Sequence, residues 1–232
     1  SLIANIGYAG SFKLYPLSLE VQASASNRTR GTVLNVSNTS DRKIAVQILV
    51  RKWSQVDGKD VYEETDDIVV APMIASINAK ASKSVLFRYK KSVEQTQQKA
   101  YRVFVRELGN NLTNSPTVAG NSFLLEFVLP LFVQPLAKSK PILNYTLGTT
   151  DTNTVTIVAS NTGGSYARIT GISITEKTLS DTALVDAKAS GQLPKYKIKG
   201  VASKSIESAN YLLPNTVLNW QIPVNEVIDG ER

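Results

Sequence analysis

Residues 123–135 read Phe-Leu-Leu-Glu-Phe-Val-Leu-Pro-Leu-Phe-Val-Gln-Pro, with one charge, Glu126, in the whole run. At a period of two, Phe123, Leu125, Phe127, Leu129 and Leu131 share one face, and that face is wholly apolar. Leu124, Glu126, Val128, Pro130 and Phe132 share the other, which is mixed. The length and the aromatic and β-branched content favour a strand. Pro130 removes a ladder donor and so belongs at an edge or a bulge. Two readings follow. The run is a core strand leading into a linker, or it is a strand with an accessible edge, an aggregation hazard unless a partner takes it by β-augmentation.

The flanks sharpen the choice. Upstream, Gly109 to Ser122 is polar, glycine-bearing and long for a hairpin loop; loops of that length inside a compact domain are usually functional or disordered. Before it, Ala100 to Leu108 is a strand with Tyr101, Val103, Val105 and Glu107 on one face and Arg102, Phe104 and Arg106 on the other. Residues four apart in a strand are about 13 Å apart, so Arg102 and Arg106 do not grip one carboxylate together. Either arginine alone suits bidentate carboxylate binding, and an exposed or salt-bridged side chain is the simpler role for at least one of them. Downstream, Gln134-Pro135 through Lys140-Pro141 reads as a linker, which places domains at residues 1–134 and 135–232.

The remaining stretches read as short strands separated by turns. Phe12 to Val21 is a strand interrupted by Pro16, an edge or a kink where the chain changes sheets. Thr32 to Ser37 puts Leu34 and Val36 on one face and ends in the loop Asn38–Asp41. Lys43 to Trp53 is long, with Ile44, Val46, Ile48 and Val50 alternating, and Asp57-Gly58 is a hairpin signal. Ser84 to Lys90 sets Leu86 and Arg88 against Val85, Phe87 and Tyr89. In the second half Ile142–Leu147, Thr154–Ala159, Ala167–Thr175, Lys195–Lys199, Lys204–Ser208 and Val217–Val224 are strands, and Trp220 supplies bulk for a small core. No segment has a convincing helical period. The pattern is all-β, with two β-sandwiches.

Composition narrows the function. A chain of 232 residues that is 42% hydrophobic and 19% charged has ample core for one large or two smaller domains. No apolar run spans a bilayer, so the protein is not expected to be membrane-embedded. The N-terminal ten residues lack a charged n-region and a full h-region, compatible with a mature start or with the stub of a removed signal. Cysteine and histidine are both absent, which removes thiol nucleophiles, imidazole bases, disulfides and the common soft metal sites. The cysteine-free composition suits the cytosol or an oxidising compartment. The acidic cluster Glu63, Glu64, Asp66 and Asp67 sits between turn and strand signals and reads as a solvated loop rather than as acid–base machinery. Asn-x-Ser/Thr triplets begin at Asn27, Asn35, Asn38, Asn111 and Asn144, and carry meaning only in a eukaryotic secreted protein. The net charge of +7 favours an acidic partner, but the basic residues are scattered and nucleic acid is not expected. No catalytic residue, metal or cofactor is expected.

Several blocks together resemble a known family. Gly31 to Asn38 and the strand ending at Trp53 resemble the second and third strands of periplasmic pilus chaperones of the chaperone–usher family. Ile68-Val69-Val70-Ala71-Pro72-Met73-Ile74 followed by Lys83 to Arg88 resembles their central block. Tyr101 to Leu108, the polar loop and the apolar strand resemble their sixth and seventh strands, and Ser208-Ala209-Asn210-Tyr211 also fits. The chain looks closest to the archaic (Csu-type) branch. The resemblance implies two immunoglobulin-like domains in the periplasm, not an enzyme, with pilus subunits and an outer-membrane usher as partners. It implies donor-strand complementation, in which a strand at about 118–130 fills a subunit's open core. The donors would be Phe123, Leu125, Phe127 and Leu129, with Val118 if the register is shifted. Better-known members anchor the subunit carboxylate with a first-strand arginine and a late donor-strand lysine. The matching positions here are near Pro16 and at Pro130, neither basic, so Arg88 and Arg102 are the candidate anchors. An exposed strand also makes self-association of the free chain an expectation. The competing reading is a two-domain adhesive or binding module of the cell surface with the apolar strand fully buried.

Overall fold

The computed structural model describes residues 7–9, 11–23, 29–91, 96–108, 125–151, 154–169 and 210–223. Every regular element among the described residues is a strand. The chain forms two compact units. The first comprises Ser1–Ser54, Tyr62–Gln95 and Lys99–Leu136; the second comprises Gln55–Val61, Thr96–Gln98 and Ala137–Arg232. The boundary near residue 136 is accompanied by two short pieces of the first half that belong with the second unit.

The first unit has two sheets. One runs in the order β1 (Gly7–Ala9), β2 (Phe12–Tyr15), β5 (Thr32–Asn38), β10 (Ser82–Tyr89), β8 (Ile68–Ala71). The other runs β4 (Thr29–Arg30), β3 (Leu19–Ala23), β12 (Glu126–Val133), β11 (Lys99–Leu108), β6 (Ile44–Val56), β7 (Lys59–Glu64), with β9 (Ile74–Ile77) also on β6. The chain crosses from the first sheet to the second at Pro16, between β2 and β3, as its position in the sequence predicts.

Alternation fills the space between the sheets. Phe12, Leu14, Leu34, Val36, Val85 and Phe87 point inward from one sheet, and Leu19, Val21, Val46, Val103, Val105 and Leu131 from the other, all fully buried. Each such side chain contributes about 1.5–3 kcal/mol relative to exposure. At the end of β5 the Asn38 amide donates to the carbonyls of Arg42, Ile77 and Asn78. Its carbonyl accepts from the Ser40 amide and hydroxyl, so the loop that the sequence marks is built around a buried side chain. That burial also removes Asn38 as a surface triplet.

The Asp57-Gly58 turn joins β6 to β7 with φ of 50° and 74°, the left-handed pair that a two-residue hairpin requires. Glu63 and Glu64 are therefore strand residues rather than loop residues. β7 is a polar sheet edge, and the two carboxylates face Lys52 at 3.9 Å and Arg51 at 3.1 Å. Asp66 lies in the loop beyond, paired with Lys90 at 2.9 Å and Lys91 at 3.4 Å, and hydrogen bonding to Lys90 holds its carboxyl below the usual range. The acidic cluster is spread over these separate partners.

In the second unit β13 (Leu143–Asp151), β14 (Thr154–Asn161) and β17 (Thr216–Pro223) form one antiparallel sheet, and β15 (Ala167–Ile169) pairs with β16 (Asn210–Leu212). Tyr145, Ile157, Ala159, Ile169, Leu212 and Leu218 are buried, whereas Trp220 is only half-buried. Burial pushes the Tyr145 phenol up to about 12. Asn161 repeats the role of Asn38: its carbonyl accepts from the Ile142 and Gly163 amides, and its amide donates to the carbonyls of Ser165 and Leu212. Gln55 explains why the hairpin tip belongs here. It donates to the Tyr211 carbonyl at 2.7 Å and accepts from the Leu213 amide and the Thr216 hydroxyl, both at 3.0 Å. The expected strands at Lys195–Lys199 and Lys204–Ser208 lie outside the described residues.

Candidate functional site

β12 carries the apolar run, and its hydrogen bonding separates its two edges. It pairs antiparallel with β11 in the register Arg106↔Glu126, Phe104↔Val128, Arg102↔Pro130. The Glu107 amide donates to the Leu125 carbonyl at 2.9 Å, so Glu107 and Leu125 form a hydrogen-bonded pair. By alternation Val105/Phe127 and Val103/Leu129 are hydrogen-bonded pairs as well, and Arg106/Glu126, Phe104/Val128 and Arg102/Pro130 are not. The backbone groups of Glu126, Val128 and Pro130 therefore point to the opposite edge. The Gln134 amide, two positions beyond Phe132 in the same phase, donates across that edge to the Val21 carbonyl at 2.9 Å.

What covers that edge changes along the strand. β3 pairs with β12 in parallel only at Leu131, Phe132 and Val133. Over Glu126–Pro130 no strand pairs with it among the described residues. Pro130, itself buried, stands at the junction, and its missing N–H falls on the side away from β11, where it costs that ladder nothing.

The inward side chains follow the same gradient. Leu131 is fully buried, Leu129 is 4% exposed and part of the core, and Phe127 and Leu125 are half-buried against the end of that core. Phe127 meets Phe12 edge-to-face with ring centroids 5.3 Å apart. On the outward face Val128 is 42% exposed. Phe132, by contrast, is buried beside Trp53 at 6.0 Å. Phe123 and Val118, also candidates from the sequence, lie outside the described residues.

The candidate cations separate onto different sheets. Arg88 is an exposed side chain of β10, opposite Val69 of β8. Arg102 is on β11 in the other sheet, directly across from Pro130, and its guanidinium carbon lies 3.6 Å over the Trp53 ring. The structure does not bring the two arginines onto one sheet. Arg106 pairs with Glu126: Nε donates at 2.8 Å and Nη2 at 2.6 Å to one carboxylate oxygen. Glu107, on the inward face, is nearly buried and takes the Arg42 guanidinium at 3.1 Å and the Ser11 hydroxyl. Tyr101 donates to Asp67 at 2.8 Å, and burial, reinforced by that bond, pushes its phenol far above the usual value. The Arg106–Glu126 contact escapes a reading of the sequence because it depends on which residues stand opposite across an unpredictable loop. Opposite charges flanking the loop are the one signal that points to it.

The sequence matches the pili and flagellar-assembly chaperone family, PapD N-terminal domain, over residues 18–138. No curated sequence matches the chain. Among solved structures the chain is similar to the CsuC–CsuE chaperone–tip adhesion subunit pre-assembly complex from the archaic chaperone-usher Csu pili of Acinetobacter baumannii. The TM-score is 0.64 at 19% identity, over 95% of this chain and 90% of that one. It is similar to the class 5 fimbriae chaperone CfaA with a TM-score of 0.57 at 15% identity, over 95% of each chain. It is also similar to the Salmonella enterica SafA pilin in complex with the SafB chaperone, with a TM-score of 0.56 at 13% identity, over 94% of this chain and 86% of that one. At these identities the likeness is one of fold, and it is the fold of two immunoglobulin-like domains that the sequence blocks imply. The family match extends over more than half of the 232 residues, and the chain belongs to the pili and flagellar-assembly chaperones.

Proposed function

We propose that this chaperone captures pilus subunits by lending them β12 and the residues just before it, within a strand of about 118–130. It would then pass them to an outer-membrane usher from the periplasm. The observation that carries this reading is the edge of Glu126–Pro130, which no strand pairs among the described residues, set beside the half-buried Leu125 and Phe127. An edge with unpaired backbone groups is what β-augmentation uses for affinity, and alternate side chains give fit. Leu125 and Phe127 are the donors within the described residues, Phe123 would extend the same face, Val118 would join only if the register is shifted, and Leu129 marks the return to the chaperone's own core. Two of the similar structures are by their descriptions chaperone–subunit complexes, which supports the same reading here. The open edge is also the surface through which a second free copy would pair.

The register favours Arg102 over Arg88 as the anchor for a subunit carboxylate. Better-known family members have a lysine at the position of Pro130, and Arg102 is the residue directly across from it. An anchor at Arg102 would stand one strand to the side of that position, with its guanidinium stacked on Trp53.

Co-purification from the periplasm of the native host tests the reading, with wild type beside the Leu125→Asp/Phe127→Asp double variant. Loss of a small β-rich subunit from a double variant that keeps the wild-type far-ultraviolet circular dichroism is expected. A double variant that unfolds, beside a wild type that captures nothing, would instead assign the strand to a buried core.

A further inference from the structure

The alternation of β12 does not by itself fix its register. Its inward face is apolar, but its outward face carries Val128, Pro130 and Phe132 and only one charge, Glu126. In most strands a one-residue slip exchanges an apolar face for a polar one and is strongly disfavoured. Here a one-residue slip brings mostly apolar side chains inward, and what opposes it in the backbone is Pro130, whose missing N–H would then face β11. A two-residue slip keeps the faces and only moves the side chains along the strand. β12 also begins too far along the sequence from the end of β11 for a two-residue turn to join them and set their pairing.

Glu126 is the exception, and it has one specific partner. It stands opposite Arg106 as a non-hydrogen-bonded pair, the closer type of cross-strand neighbour. Two guanidinium nitrogens reach one of its oxygens, at 2.8 and 2.6 Å. A slip of one residue carries Glu126 to the apolar face and breaks the pair. A slip of two leaves it opposite Phe104 or Leu108. The pair sits at the first residues of β12, next to Leu125 and Phe127.

We propose that Arg106 and Glu126 are positioning residues that lock the register of β12, and so decide which side chains the open strand presents to a subunit. The proposal rests on the donor-strand reading for its functional half and on the free chain for its structural half. A surface pair is weak in absolute terms, but it acts at the start of the strand, where Leu125 and Phe127 are only half-buried and core packing constrains the register least.

The natural absence of cysteine makes the test clean. Phe104→Cys and Val128→Cys place two thiols opposite each other on the outward face in the native register. The yield of the intramolecular disulfide is measured in dilute free protein in four backgrounds: otherwise unchanged, Arg106→Glu, Glu126→Gln, and the exchanged pair Arg106→Glu/Glu126→Arg. The lock predicts near-complete closure in the first, at least a threefold loss of yield in each single variant, and recovery in the exchanged pair. Glu126→Gln keeps the comparison alive if the like-charged Arg106→Glu variant fails to fold. Equal yields in all four, or no recovery on exchange, would overturn the lock. Subunit co-purification with the same variants without the thiols should fall and recover in parallel. If the yields behave as predicted but wild type captures no subunit, the donor-strand reading fails, and with it the role of the lock in presentation.

Discussion

Phe127 stands where two demands on one strand meet. Its ring packs edge-to-face on Phe12, yet it is only half-buried, so its remaining surface is available to a partner. Arg102 is in a comparable position. Its guanidinium rests on Trp53 while its strand neighbour is Pro130. Arg102→Ala is expected to weaken subunit capture at least tenfold in a titration against purified subunit, while Arg88→Ala leaves capture unchanged; the reverse order would move the anchor to the other sheet. Losing the stack itself costs about 0.5–1 kcal/mol of stability. Tyr101 makes a prediction about pH. Burial and its bond to Asp67 favour the neutral phenol in the folded state, so the folded pKa is raised. The unfolded chain ionises near 10. The contribution of Tyr101 to stability is therefore level below about pH 10 and falls as pH rises beyond it. Melting temperatures between pH 8 and 11.5 should show that decline, and Tyr101→Phe should flatten it; Tyr145, at about 12 in the second unit, adds a similar slope that this substitution leaves in place.

At the scale of the element, β12 is two strands in one. From Leu131 to Val133 it is an interior strand between β3 and β11, and from Glu126 to Pro130 it is an edge among the described residues. The sequence shows the faces of such a strand, because side-chain alternation is local. It does not show the edges, because coverage of Leu131 by Leu19 is a contact across more than a hundred residues. That is why Leu129 is readable as apolar but not as already committed to the chaperone's own core. The burial of Leu34, Val36, Val85 and Phe87 follows from alternation, and the sheet change at Pro16 from the proline, and both are legible because these signals are local. β7 is not, since Lys-Asp-Val-Tyr-Glu-Glu at residues 59–64 is polar on both faces and only its pairing with β6 makes it a strand. The turn between them is legible because two left-handed residues are needed and Asp57-Gly58 provides them. A Cβ at Gly58 would meet only Leu218, at an ordinary van der Waals distance of 3.8 Å. Gly58→Ala should therefore destabilise through backbone conformation alone, by about 1 kcal/mol in urea unfolding.

For the whole molecule, the first unit carries every described residue proposed to bind a subunit, and the second takes the tip of the β6–β7 hairpin and the Thr96–Gln98 segment into its own hydrogen-bond network. The central claim is that a partner strand closes the open edge of β12. Amide hydrogen exchange reads this residue by residue, in the free chaperone and in the complex purified with its subunit. The amides of Glu126 and Val128 point to the open edge, while those of Phe127 and Leu129 point to β11 and serve as internal controls. The account predicts fast exchange at Glu126 and Val128 in the free chain and at least tenfold slowing in the complex, with the controls slow in both. Unchanged exchange at Glu126 and Val128 on subunit binding would contradict it.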